Sequence, residues 1–288
     1  MCRLFGLSAA PRRVRATFWL LDAPDSLSIQ SRRDPDGVGL GTFTASGAPL
    51  VEKQPIAAYE DIQFGREARE RESMTFVAHI RYATTGGLEP SNTHPFEQHG
   101  RLFAHNGVLQ DLDELDAELG DYLDLVHGDT DSERFFALIT QRTDRHDGDV
   151  TVGITDAVRW IADRLPVYAL NLVLTTATDL WALRYPDTHS LFVLERAAGG
   201  PQGDRHLDQA GRAGIRTRSG HLRDFPAVVV ASERTDEDPR WRALAPGELI
   251  HVDDQLRVQS STILDSAPRH LLTLAQLDSR AAAAQSGR

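Results

Sequence analysis

The order of segments along this 288-residue chain predicts an α+β fold built on antiparallel sheets. Three observations carry the prediction. Short runs with alternating apolar residues dominate up to about residue 109, two amphipathic helical patterns occupy the stretch between 131 and 165, and after Pro166 short β-rich runs return between turn residues. No internal repeat and no sharp change of composition cuts the chain, so one domain over 1–262 is expected, followed by a frayed helical or disordered tail over 263–288.

Each element has its own signal. Arg3 to Ala9 interleaves Leu4, Phe5 and Leu7 with small or charged neighbours and suits a strand. Val14, Phe18 and Leu21 stand at helical spacing, and the break at Pro24-Asp25 makes two short helices of residues 12–33. Val38 to Thr44 alternates like a strand, with a hairpin partner around Pro49 to Gln54. The glycines of Asp36-Gly37-Val38-Gly39 are therefore read as a turn feeding a strand, since a dinucleotide loop needs a helix after it. Tyr59 to Glu72 reads as an exposed, charge-laced helix, and Thr75 to Tyr82 as a strand that leads through Arg81 into the long loop Glu89 to Phe96. A short strand, Arg101 to Ala104, ends in His105-Asn106-Gly107, where the Asn-Gly pair fits either a tight hairpin turn or a working site. Leu112, Leu115 and Leu119 mark a helix, and the next, capped by Thr130 or Asp131, runs to about Thr143. Ile154, Val158 and Ile161 mark another over Thr151 to Leu165. Strands are then expected at Val167–Thr176, Leu180–Tyr185, Ser190–Glu195, Ile215–Arg218, Ala227–Ser232 and Glu248–Val252, with a polar, glycine-rich loop at Ala197–Arg212.

Composition narrows the function classes. An apolar fraction of 41% and a charged fraction of 25% are ordinary for a globular protein. A formal net charge of -11 lacks the basic footprint that nucleic acid requires. No apolar run approaches the roughly 20 residues of a membrane span, and Trp19-Leu20-Leu21 is too brief for a signal peptide, so no membrane partner and a cytoplasmic location are expected. The single cysteine excludes an internal disulfide and any multi-cysteine metal site. His94, His99 and His105 do not have a ligand spacing either, so neither metal nor cofactor is expected.

That cysteine is Cys2, next to the initiator methionine. Removal of Met1, which a side chain as small as Cys2 permits, leaves a thiol of pKa about 8.5 and an α-amine of pKa about 7.7–8.0 on one residue. The amine can accept the thiol proton directly or through a water, and the thiolate is the nucleophile. The competing reading is a small buried hydrophobe.

Five motifs follow in order: Cys2, Arg33-x-x-Asp36-Gly37-x-Gly39, His79-x-Arg81-Tyr82-Ala83-Thr84, His105-Asn106-Gly107 and Asp129-x-Asp131-Ser132-Glu133. Together they resemble the class II glutamine amidotransferase domain, the N-terminal-nucleophile type, over roughly residues 2–255. Met1-Cys2-Arg3-Leu4 and Asn92-Thr93-His94-Pro95-Phe96 look most like its stand-alone branch, which includes small predicted amidotransferases and the γ-glutamyl amide hydrolase of ergothioneine biosynthesis. The chain departs from the pattern at Val38, where that branch commonly carries Trp, and at Thr85, where the synthase branches carry His.

The resemblance implies a four-layer αββα sandwich and a hydrolase for the γ-amide of glutamine or another γ-glutamyl amide, acting through a thioester on Cys2. It implies Asn106 and Gly107 as oxyanion donors, and Arg81, Thr84, Thr85 and Asp131 as the binders of the α-carboxylate and α-ammonium. Arg33, His79 and His105 are supporting residues. With no appended synthase domain expected, ammonia is released or passed to a separate synthase subunit. Two alternatives remain: a hydrolase of a larger γ-glutamyl conjugate, and a non-catalytic glutamine-binding or scaffold subunit.

Overall fold

The computed structural model describes residues 2–82, 87–199 and 224–285. The expected strand Ile215–Arg218, most of the loop Ala197–Arg212, and Thr84 and Thr85 lie outside them. Two sheets form the centre. The first runs β11 (Arg242–Ala243), β9 (Phe192–Arg196), β10 (Ala227–Ala231), β1 (Arg3–Ser8), β4 (Thr75–Arg81), β2 (Gly37–Phe43) and β3 (Pro49–Gln54), in that spatial order. The second runs β13 (Val258–Thr262), β12 (Glu248–Val252), β8 (Leu180–Arg184), β7 (Pro166–Thr175), β6 (Arg101–Leu109) and β5 (Phe96–Gln98). All these pairings are antiparallel, as expected, but β14 (His270–Leu271) adds to β7 in parallel.

Alternation along the strands sorts their side chains into three cores, which is what makes four layers. On β1, Leu4 joins Val77, Leu102, Ala104, Val173 and Val230 between the sheets, whereas Phe5 and Leu7 face a layer made by the π-type turn Phe18–Asp22, α1 (Leu27–Gln30) and α2 (Ile62–Glu70). On the far side, Phe103, Leu170 and Leu172 pack against α4 (Asp131–Arg145) and α5 (Val150–Arg164), with α3 (Leu112–Leu119) alongside. α4 and α5 are capped by Thr130 and Asp149, whose side chains accept from Glu133 N and Val152 N.

The choice left open at Asn106-Gly107 is settled by pairing: β6 continues through it to Leu109, opposite Asn171 and Leu170 of β7. The stretch after residue 262 carries a short strand and a terminal helix. Beyond β14, α6 (Ser279–Gln285) buries Ala281, Ala284 and Gln285 against the domain. Gly39 sits in β2, as its strand reading required, and its missing side chain has a use: a Cβ there would stand 1.9 Å from the His94 carbonyl oxygen.

Candidate active site

Cys2 precedes β1, the strand flanked on both sides by β4 and β10. Leu4 lies on the inter-sheet face, so the period of two turns Cys2 the same way, toward the ends of β4 and β6. Leu4 N donates to Ser232 Oγ at 3.0 Å, and Arg3 pairs with Glu233 at 2.6 Å and with Asp34 at 3.5 Å. Glu233 also takes Arg33 at 3.1 Å. Arg33 thus acts at one remove, through the carboxylate that holds Arg3.

Cys2 is buried, 8% exposed as a residue. Burial pushes its pKa up, with Asp34 adding to the rise, while the Tyr82 backbone N–H and Arg81 oppose it. That N–H donates to Sγ at 3.2 Å. The resting group is a thiol, so a nucleophilic role needs a base beside it.

Arg81 closes β4, buried, its Nη1 donating to the Gly87 carbonyl at 2.9 Å. Burial lowers its pKa, with Cys2 and Asp36 acting in the opposite sense; a guanidinium stays charged regardless. Asn106, on the β6 face shared with Ala104, donates from Nδ2 to the Cys2 carbonyl at 3.0 Å. Between Val108 and Leu109 the register of β6 against β7 shifts, and the displaced Leu109 N–H is taken by Asp131 Oδ2 at 2.9 Å. Asp131 Oδ1 accepts Ser132 N at 2.8 Å in the first turn of α4. The expected cap is present, on Thr130, and the Asp131 carboxylate ties β6 to the helix beside it.

One cavity is lined by Cys2, Arg81, Gly107 and Asp131, together with His79, His94, His105, Asn92 and the backbone-donating Tyr82. The histidines form its buried wall. The His79 and His94 rings lie 4.2 Å apart, and desolvation lowers the pKa of His79 to about 3 and that of His94 well below its usual value. His105 Nε2 faces the Ala169 carbonyl at 3.2 Å and Nδ1 faces Ser132 Oγ at 2.9 Å, so a neutral ring protonated on Nε2 satisfies both contacts. His99 stands apart, against Asp144 at 3.5 Å. Among the described residues no group of three metal-ligating side chains is assembled.

Sequence reasoning gave no individual role to Asn92 or Ser132. Asn92 donates to the Gly87 carbonyl at 3.4 Å and accepts Asp129 N at 2.8 Å, which joins the loop after β4 to the approach to α4. Its signals were its place in a long, turn-rich loop and at the head of the Asn92-Thr93-His94-Pro95-Phe96 motif.

A nucleophile candidate entering the central strand of one of two stacked antiparallel sheets, with helices on both outer faces, defines the N-terminal-nucleophile hydrolase fold. The chain belongs to the class II glutamine amidotransferases, whose family pattern matches residues 1–271. Among solved structures, glutamine phosphoribosylpyrophosphate amidotransferase from B. subtilis superposes with a TM-score of 0.63 at 19% identity, covering 94% of this chain and 51% of that one. The γ-glutamyl-hercynylcysteine sulfoxide hydrolase of Mycolicibacterium smegmatis is 28% identical over 264 residues, 88% of this chain and 96% of that protein. The probable glutamine amidotransferase DUG3 of Saccharomyces cerevisiae is 30% identical over 131 residues, 41% of this chain and 37% of the yeast protein. No described helix is long and apolar enough to cross a membrane.

Proposed function

We propose that the chain hydrolyses the γ-amide of glutamine or a γ-glutamyl amide with Cys2 as nucleophile. The observation that carries this is the convergence on one cavity of Cys2, Arg81, Gly107 and Asp131, with the Asn106 amide on the Cys2 carbonyl. Arg81 offers a planar fork to the substrate α-carboxylate. Asp131 has spare acceptor capacity beyond its two backbone bonds for the α-ammonium. Once Met1 is removed, the α-amine of Cys2 takes the thiol proton as Sγ bonds to the amide carbon. The tetrahedral oxyanion is met by Asn106 Nδ2 and Gly107 N–H. Collapse breaks the C–N bond, the amine returns its proton to the departing ammonia or amine, and a γ-glutamyl thioester remains. Water then attacks the thioester carbon, releasing glutamate and restoring the thiol.

The ammonia is released or handed to a separate synthase subunit. A second reading, a γ-glutamyl conjugate larger than glutamine, is favoured by the relative from Mycolicibacterium smegmatis, which matches along 96% of its length. The test is kcat/KM for glutamine against a panel of γ-glutamyl amides. Turnover of any of them, lost in Cys2→Ala with the fold intact, is the expected result. Turnover that survives Cys2→Ala overturns the proposal.

A further inference from the structure

Two buried side chains of the cavity have no part in the reaction above. His79 and His94 are 0% and 5% exposed, and both line the space that holds Cys2. His79 stands two residues before Arg81 on β4, on the same face and opposite Leu4, and so one step deeper into the sheet than Arg81. His94 reaches it from the loop after β4. Gly39, opposite His79 on β2, lets the His94 backbone lie flush against that strand, and the two rings come to rest 4.2 Å apart, with the Phe96 ring edge-on to His94 at 4.6 Å.

Among the described residues none of the four ring nitrogens has a hydrogen-bond partner; the His105 backbone faces His79 without meeting either nitrogen in bonding geometry. A buried polar atom left unmatched costs about 1–3 kcal/mol, and in a native structure such atoms point to a ligand or a role. Burial keeps both rings neutral, so each presents one donor and one acceptor. In the proposed reaction Arg81, Asp131, Asn106 and Gly107 meet the polar atoms of the glutamyl group. The water that attacks the thioester is the reactant left without a holder.

We propose that His79 and His94 hold the hydrolytic water of the second half-reaction. The water accepts from the N–H of one imidazole and donates to the bare nitrogen of the other, which leaves its second proton for the Cys2 α-amine. Its oxygen bonds to the thioester carbon, the C–S bond breaks, and the amine passes the proton to the departing sulfur. The first half-reaction, attack by Sγ and loss of the amine, needs neither ring. This rests on the hydrolase reading above and concerns its second step.

The test uses full-length His79→Leu and His94→Leu with glutamine, or with whichever γ-glutamyl amide of the panel turns over fastest. Decay of the γ-glutamyl thioester, followed by rapid quench and intact mass, should slow about 10²-fold, the effect of misplacing a reactant by about 1 Å. Meanwhile kcat/KM, which reports acylation, should keep its wild-type value. Hydroxylamine, which needs no held water, should discharge the accumulated thioester as the γ-glutamyl hydroxamate. His79→Gln and His94→Gln keep a donor and an acceptor in altered positions and should slow the decay about tenfold; they decide the matter where a leucine variant does not fold. A fall in kcat/KM with no build-up of thioester, as a merely disturbed site would give, overturns the proposal. So does wild-type thioester decay in the variants. If wild-type turnover is abolished by Cys2→Ala, the hydrolase reading survives either of those results; wild-type protein that turns over no γ-glutamyl amide overturns both.

Discussion

At the scale of single residues, the proposed chemistry turns on a buried thiol that burial keeps protonated and on the groups placed around it. Cys2→Ala removes the nucleophile without opening a large cavity, so turnover should vanish while the melting temperature hardly moves, checked by steady-state kinetics beside thermal denaturation. Asn106→Ala removes one oxyanion donor, and a fall of about 10²–10³-fold in kcat is expected, with the larger change in kcat than in KM. Arg81→Lys keeps the charge and loses the fork; KM for any γ-glutamyl substrate should rise about tenfold or more, and an unchanged KM would remove Arg81 from carboxylate binding. These residues were legible because each is a chemical type tied to a short motif. Tyr82 was not legible as a donor to Sγ, because a backbone N–H carries no sequence signature. The roles of Cys2, Asn106 and Arg81 are proposals, as are those of Thr84 and Thr85.

At the scale of elements, Asn-Gly was ambiguous because the pair that favours a tight turn also places a side-chain amide and an unhindered N–H on consecutive residues. Pairing with β7 decided the matter, and β7 begins 57 residues after β6 ends. The shift at Leu109 was equally invisible, yet it brings Asp131 to the strand. Asp131→Asn retains an acceptor for Leu109 N while removing the charge, so it should fold normally and bind the substrate ammonium poorly. Asp131→Ala loses the acceptor as well and should cost about 1–3 kcal/mol of stability, read from urea unfolding. Gly39→Ala places a Cβ against the backbone at His94, which cannot yield as a side-chain tip can; overpacking of this kind costs about 1–3 kcal/mol. A stability equal to wild type would show that the loop carrying His94 moves freely.

At the scale of the whole molecule, the strand, helix and strand order was enough for the fold class because local periodicity reports which face of an element is buried. It could not report that β1 lies between β4 and β10, the latter more than 200 residues away, or that α6 docks beside Val108, since both depend on contacts between distant segments. The buried histidines set a global property. His79 has a folded pKa near 3 against an ordinary value of 6.5, so between those limits the unfolded chain binds the proton that the native protein refuses. Its contribution is whole above pH 6.5 and declines as pH falls toward 3, by up to about 1.4 kcal/mol per pH unit. His94 acts in the same direction. Urea midpoints measured between pH 7 and pH 4 should fall steadily, and a flat profile would mean that these rings are not desolvated. The central claim is that Cys2 becomes the first residue and carries the glutamyl group. Intact-mass spectrometry of active protein, quenched during turnover of a γ-glutamyl amide, tests it most directly. The predicted result is a chain lacking Met1 with a γ-glutamyl adduct on Cys2; full activity from a chain that retains Met1 would contradict it.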